Sequence, residues 1–554
     1  MNATPGRSGA ASDDGGAQSR SMAKSTAAMA AGTFVSRILG FVRAATLLAA
    51  VGMTTAAGNA FDAANRIPNF ADAIITGGLL NAILVPQIVR AYKAGHGEKF
   101  ASRLISLGVV ALAALTAVMT LTAAFWIWVF TQRWAGPERA LATSFAFYCM
   151  PEVFFYGLYT LLGQLLNARG SYGPFMWAPV ANNVISIAGF GTFIAVCGRD
   201  HPLGSWTGGE VALMGGTALL GIAAQALILV IPLRASGFHF TFSLGVRGSG
   251  LGSAARVGVW TIATLVVDQV AQAFALKMAS WAQSVDPSAP ANAVYNNALT
   301  TYVIPHSLVT VSLTTVLFTR MSASAATGDT AGVRRDLSFG IRTTSAFTLF
   351  ATAAMVVLAV PICRVLFFTV SFENVQEVAR TLVPLALGLV PLGITLLIKR
   401  VFFAFEDGRT VFLFQVPMSA LFMVGAFCST RILPVRWWVV GIGLSASLSY
   451  VAGVVLRLQS LRFQLGGVDG RRLVGLHVKA GFSALVTAEV GWLVLSAIPR
   501  YGESVPRAVV ALVVGGLAMV LVYAALLKLL GVHELAFFTD PLRAWVRRRG
   551  ANAA

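Results

Sequence analysis

The sequence predicts an all-α polytopic membrane protein with about 14 transmembrane helices. Three observations carry this. The chain is 56% apolar and 11% charged, against about 25% charged in soluble domains. Apolar windows long enough to cross ~30 Å of hydrocarbon recur from Ala27 almost to the C-terminus. Hydrophilic stretches reach only roughly 15–25 residues, too short for a soluble catalytic domain.

The expected spans begin near residues 27, 60, 101, 140, 175, 211, 253, 291, 343, 380, 410, 437, 473 and 505. The second, fourth and eighth carry Pro and polar residues, so their limits are the least sharply drawn. Residues 1–23 are rich in Ser, Gly and Ala without apolar periodicity, and read as a disordered cytoplasmic tail. They are not a signal peptide, because the apolar segment that follows is long and bears arginine.

A net charge of +19 invites a nucleic-acid reading, but its placement argues against one. Basic residues collect in alternate loops: Arg7, Arg20 and Lys24; Arg90, Lys93, Lys99 and Arg103; Arg234, Arg247 and Arg256. The series continues with Arg334, Arg335 and Arg342, then Arg462, Arg471 and Arg472, and ends at Arg547, Arg548 and Arg549. That is the positive-inside bias, with both termini cytoplasmic and an even number of spans.

The first span holds the sharpest functional signal. Arg37 and Arg43 lie in Ser36-Arg37-Ile38-Leu39-Gly40-Phe41-Val42-Arg43. A guanidinium at membrane depth costs at least ~2.5–3.5 kcal/mol and cannot shed its proton. Two in one span imply a water-filled cavity with an anionic occupant. Six residues apart, they differ by ~120° around the axis and ~9 Å along it. Arg43 has an alternative as a headgroup anchor.

The second span adds a polar stripe. Asn59, Asp62, Arg66 and Asn69 fall at i, i+3, i+7 and i+10, one face of a helix. Asp62 and Arg66 are spaced to pair. A structural ion pair between helices is one reading. The length of the stripe, which Asp72 and Thr76 continue, favours a cavity wall.

Other intramembrane polar groups are Glu152, Asn182 and Asn183, then Asp268, Gln269, Gln272 and Lys277 in the seventh span, and Asn296, Asn297 and His306 in the eighth. Lys399 and Arg400 lie near the end of the tenth. Single Asn and Gln residues more often bond helix to helix, and a structural role is the plainer one for His306. Asp268, Lys277, Asn296 and His306 are the candidate coupling or cavity residues.

Soluble-enzyme chemistry is not expected. There is no Walker A sequence, G-x-S-x-G elbow or dinucleotide fingerprint. Cys149, Cys197, Cys363 and Cys428 are scattered without a C-x-x-C, so neither disulfides nor a metal site is expected. No cofactor is implied.

Ile67-Pro68-Asn69 and Ile304-Pro305-His306 suggest a repeat. Six spans between equivalents give both halves one orientation, hence a pseudo-two-fold along the membrane normal. The expected division is a 24–235 lobe of spans one to six, a 250–465 lobe of spans seven to twelve, a helix pair over 470–531, and a basic cytoplasmic tail over 532–554.

Four segments resemble the MurJ/MviN family of lipid II flippases, in particular its high-GC Gram-positive members. They are S-R-I-L-G-F-V-R at Ser36–Arg43, N-A-F-D-A-A-N-R-I-P-N at Asn59–Asn69 with L-V-P-Q-I at Leu84–Ile88, L-L-N-A-R-G at Leu165–Gly170, and R-V-F-F-A-F-E-D-G-R-T at Arg400–Thr410. The resemblance implies a 14-helix relative of the MATE transporters with a central cavity between two lobes. It implies translocation of the undecaprenyl-diphosphate-linked peptidoglycan precursor, lipid II, to the outer leaflet of the bacterial plasma membrane. Membrane lipids, with cell-wall synthesis or division proteins, are the implied partners; nucleic acid is not.

Arg37 and Arg43 match arginines thought to face the diphosphate and sugar. Asn59 stands where an Asp is common, with Asp62 one turn later. Asp72 and Gly77 also depart from the pattern, and no arginine appears around Asn296–Leu299. Arginine forks suit a diphosphate, and the prenyl tail can stay in lipid. Without nucleotide hydrolysis, energy must come from an ion gradient or membrane potential, worth ~2.3 kcal/mol per charge per 100 mV. The competing readings are a multidrug/cation antiporter, which should prefer acidic cavity residues, and another lipid-linked oligosaccharide flippase.

Overall fold

The computed structural model describes residues 35–75, 97–131, 136–169, 173–199, 201–243, 252–499 and 503–532, with Gly32, Trp134, Ser171 and Glu534. The N-terminal tail, the L-V-P-Q-I segment, Gly77 and nearly all of the basic C-terminal tail lie outside the described residues. Among those described there are helices and turns but no strand.

In chain order the helices are α1 (35–51), α2 (Ala56–Ile74), α3 (Gly97–Leu121), α4 (Ala123–Phe130), α5 (Gly136–Cys149), α6 (Glu152–Ala168) and α7 (Gly173–Cys197). Then come α8 (Gly208–Leu227), α9 (Val230–Ala235), α10 (Gly252–Val285), α11 (Asn292–Pro305), α12 (Val311–Ala326) and α13 (Thr330–Val357). The remainder are α14 (Ala359–Leu366), α15 (Phe372–Leu387), α16 (Leu389–Ala404), α17 (Gly408–Ile432), α18 (Trp438–Gln464), α19 (Gly470–Ser496) and α20 (Val505–Leu529).

Eleven described spans are long and apolar enough to cross a membrane, and the pair α15 and α16, bent by 48°, makes up to 12. These correspond to the third to fourteenth expected spans. The first two expected spans are helical as α1 and α2, but α1 borders undescribed residues and the polar stripe lowers the apolarity of α2. The surface is inverted relative to a soluble protein. Leu121, Phe463, Leu485, Leu521 and Leu529 are among the large apolar side chains left exposed. Such a surface is stable only against lipid, where helices satisfy their own backbone groups.

The chain divides into two compact units. One comprises residues 1–50, 64–126 and 141–251; the other comprises 51–63, 127–140 and 252–554. The division falls inside α2, between Ala63 and Ala64. The first unit is centred on Ala101, Leu165, Leu166, Ala226 and Leu229. Small residues let its helices approach: a Cβ on Gly157 would lie 2.4 Å from Leu112 Cδ2, as expected where packing alone drives association in lipid.

In the second unit, Leu317, Met321, Leu337, Leu397, Val401 and Leu461 form one core. A further cluster joins α19 and α20 to Ala353 and Leu358 through Ala480, Ala511 and Met519. Tyr523 donates to the Ala346 carbonyl at 2.7 Å.

Two of the motifs have local physical explanations. In E-D-G-R-T, Glu406 takes φ +58° and Asp407 caps α17 by accepting from Thr410 N at 3.0 Å, a turn followed by an N-cap. In L-L-N-A-R-G, Arg169 pairs with Glu98 at 3.3 Å and donates to the Ser236 carbonyl. It thereby ties the end of α6 to the start of α3 and the end of α9.

Candidate functional site

The first unit places α1 against α7. Asn183, buried on α7, donates to the Ser36 carbonyl at 2.8 Å, one residue before Arg37. Arg37 is exposed and Arg43 half-buried. Seven residues beyond Ser36, Arg43 returns to nearly the same face of α1, about two turns along. Its charge reaches Glu152 of α6, whose side chain is fully buried. A buried carboxylate requires such a partner.

Asn65, on the second half of α2, donates to Glu152 at 3.3 Å. Asn69 donates to the Asn65 carbonyl at 2.6 Å and accepts from Tyr156 of α6 at 3.4 Å. A polar seam therefore runs between α2 and α6.

The first half of α2 belongs to the second unit and meets α11 there. Residues 52–55 make a tight reversal: Gly52 has φ +77°, and a Cβ on Gly58 would lie 2.1 Å from the Gly52 carbonyl oxygen. This turn delivers Asn59, fully buried. Its Oδ1 accepts from Ala293 N at 3.1 Å, and its carbonyl accepts from Asn292 Nδ2 at 3.1 Å. Asp62 Oδ2 accepts from Asn292 Nδ2 at 3.0 Å and from Asn296 Nδ2.

Asn59 thus caps α11 from another helix, satisfying a backbone donor left open in the first helical turn. The Asp62 carboxylate lies near that positive helix end, a favourable arrangement.

The four stripe residues share a helix face but not a destination. Asn59 and Asp62 go to the start of α11, and Asn69 goes to Tyr156. Arg66 lies over the Phe70 ring at 5.9 Å, with its Nε buried and lacking a hydrogen-bond partner. Of the other candidates, Asn296 joins Asp62. Asp268 accepts from Gln415 Nε2 at 3.1 Å. Lys277, nine residues further along α10, lies over the Trp128 ring at 5.2 Å. His306 is buried with Nδ1 unpartnered and begins a π-helical turn, His306–Thr310, after Pro305.

Asn65, Asn292, Gln415 and Arg457 are additional buried or half-buried polar residues at these nodes. The available signal for Asn292 was its i, i+4 spacing to Asn296. For Arg457 it was a lone cation inside an otherwise apolar run. Among the described residues no group of three or more His, Cys, Asp or Glu is arranged to hold a metal ion, and all four cysteines are free. The chemistry on offer is anion contact at Arg37 and Arg43 and hydrogen-bonded nodes inside the helices.

The family model "Lipid II flippase MurJ" matches residues 45–515. A probable lipid II flippase MurJ of Synechocystis sp. is 26% identical over 537 residues, covering 93% of this chain and 97% of that protein. One from Vibrio cholerae is 24% identical over 461 residues, covering 80% and 84%. Among solved structures, a lipid II flippase MurJ in an inward closed conformation aligns with a TM-score of 0.69 at 19% identity, over 90% of this chain and 98% of that one. An inward-facing MATE family multidrug transporter aligns at 0.59 and 14%, over 79% and 96%. At these identities the structural likenesses establish the shared fold.

Proposed function

We propose, from the premise that this chain belongs to the lipid II flippase MurJ family, that it carries lipid II from the cytoplasmic to the outer leaflet by alternating access. The observation that carries this is the family match over residues 45–515. The match begins after Arg37 and Arg43, so their role rests on their own chemistry. Each offers a planar fork of donors suited to the diphosphate, the part of the substrate that cannot cross hydrocarbon.

Arg43 has Glu152 as its charge partner within the protein. Substrate diphosphate and Glu152 then compete for one guanidinium, which favours release as well as capture. Asn59, Asp62, Arg66 and Asn69 form the adjoining polar wall, and Asp268, Lys277, Asn296 and His306 are the groups available for coupling. The basic loops support cytoplasmic termini. That orientation sets the turn at residues 52–55 on the outer side, with the Asn59–Asp62–Asn292–Asn296 node one to two helical turns beneath it.

Cation antiport of the MATE kind shares the fold, but the first span carries two guanidiniums where a cationic substrate would need carboxylates. The deciding experiment is reconstitution of the full chain into liposomes with labelled lipid II, followed by a leaflet-accessibility assay. Labelled headgroup should cross without added nucleotide, and binding should weaken as salt screens the arginine contacts. Transport of cationic drugs with no movement of lipid II would replace this reading with antiport.

A further inference from the structure

The second unit contains a charged crossing that lipid II contact does not use. Arg457 of α18 is fully buried, 0% exposed. Its Nη2 donates to Gln415 Oε1 of α17 at 3.2 Å, while Nε and Nη1 are buried without any hydrogen-bond partner. Gln415 turns its other end to Asp268 of α10, Nε2 to Oδ1 at 3.1 Å, and also donates to Ser419 at 3.2 Å. The glutamine amide therefore stands as a spacer between the guanidinium and the carboxylate. Lys399 of α16 acts electrostatically on both Asp268 and Arg457.

A buried guanidinium cannot lose its proton, and unmet donors on a charged group carry a large desolvation penalty. Two cations and one carboxylate leave the crossing one positive charge in excess. Water can satisfy the open donors but cannot balance that charge; a single monovalent anion does both. A cation would meet two positive neighbours. Asp268 and Lys399 are half-buried rather than sealed, which leaves a small ion a way in.

We propose that this crossing is a binding site for a small monovalent inorganic anion of the chloride class. Arg457 and Lys399 hold the ion, and Gln415 keeps Asp268 from closing on the guanidinium.

The test uses the purified full chain in detergent, in sodium chloride against sodium gluconate at constant sodium and ionic strength. Chloride should raise the thermal unfolding midpoint saturably, by roughly 1–3 °C. Arg457→Gln should abolish the shift, Lys399→Gln should weaken it, and Arg320→Gln, at a surface pair with Asp336, should retain it. Equal midpoints in the two salts, or a chloride shift that survives Arg457→Gln, would overturn the proposal. Should Arg457→Gln fail to fold, bromide-soaked crystals of the unaltered protein decide. A bromide anomalous peak within hydrogen-bonding reach of Arg457 supports the site, and its absence overturns it.

Discussion

Replacing both Arg37 and Arg43 with alanine should slow lipid II translocation by about 10²–10⁴-fold. Each charge-assisted contact to a diphosphate is worth ~1.5–3 kcal/mol, and a tenfold change corresponds to ~1.4 kcal/mol. The check is the initial rate in the leaflet-accessibility assay, with lipid II binding measured alongside. Lysine at both positions should recover only part of the loss, because an ammonium keeps the charge without the planar fork.

Arg43→Ala has a second consequence, since it deprives buried Glu152 of its nearby cation. Pairing it with Glu152→Gln separates the two effects. Recovery in the double variant would mean that the loss came from a stranded carboxylate; continued loss would locate it in substrate contact. Wild-type rates in the double alanine variant would remove both arginines from the mechanism.

Asp62→Ala should be the most destabilising change in the polar stripe, costing about 2–5 kcal/mol. It leaves the Asn292 and Asn296 amides short of an acceptor, at ~1–3 kcal/mol for each buried unmet group. Asp62→Asn, which keeps an acceptor but loses the charge facing the helix end, should cost less. Arg66→Ala should be milder still, because Asp62 keeps both asparagine donors when Arg66 is gone. Thermal unfolding of the three variants gives the order. An Asp62→Ala protein as stable as the wild type would show that this node does not hold the helices together.

The apolar runs made the third to fourteenth spans readable because each segment carries its own hydrophobic signal. The stripe on α2 was harder. Periodicity tells which side chains share a face, and Asn59, Asp62, Arg66 and Asn69 do. It does not tell that the neighbour changes along the helix, from α11 at one end to α6 at the other. The spacing of Asp62 and Arg66 allowed an ion pair, but the asparagines of α11 close on the carboxylate.

Arg457 lies seven residues from the end of α18, where a lone cation in an apolar run resembles a headgroup anchor. Only three-dimensional packing reveals that it turns inward to Gln415. The E-D-G-R-T segment was the opposite case. Its turn and cap chemistry are local, so residue order alone was informative.

The π-helical turn at His306–Thr310 has a consequence for insertions and deletions. A turn closed by one extra residue retards everything beyond it by about 100° relative to an unbroken α-helix. Leu313, Leu317 and Met321 reach the core of the second unit in that retarded phase. Removing one residue between Ser307 and Val309 would restore ordinary winding and rotate α12 by the same angle. Those three side chains would then swing out of their core, and Thr315 or Val316 would take their place. Residue count in this segment is therefore more constrained than residue identity, and a one-residue deletion should damage the fold more than any single substitution there. In a deletion scan of the eighth span, the yield of folded protein should fall at this segment and recover when a residue is reinserted a few positions away within the same turn.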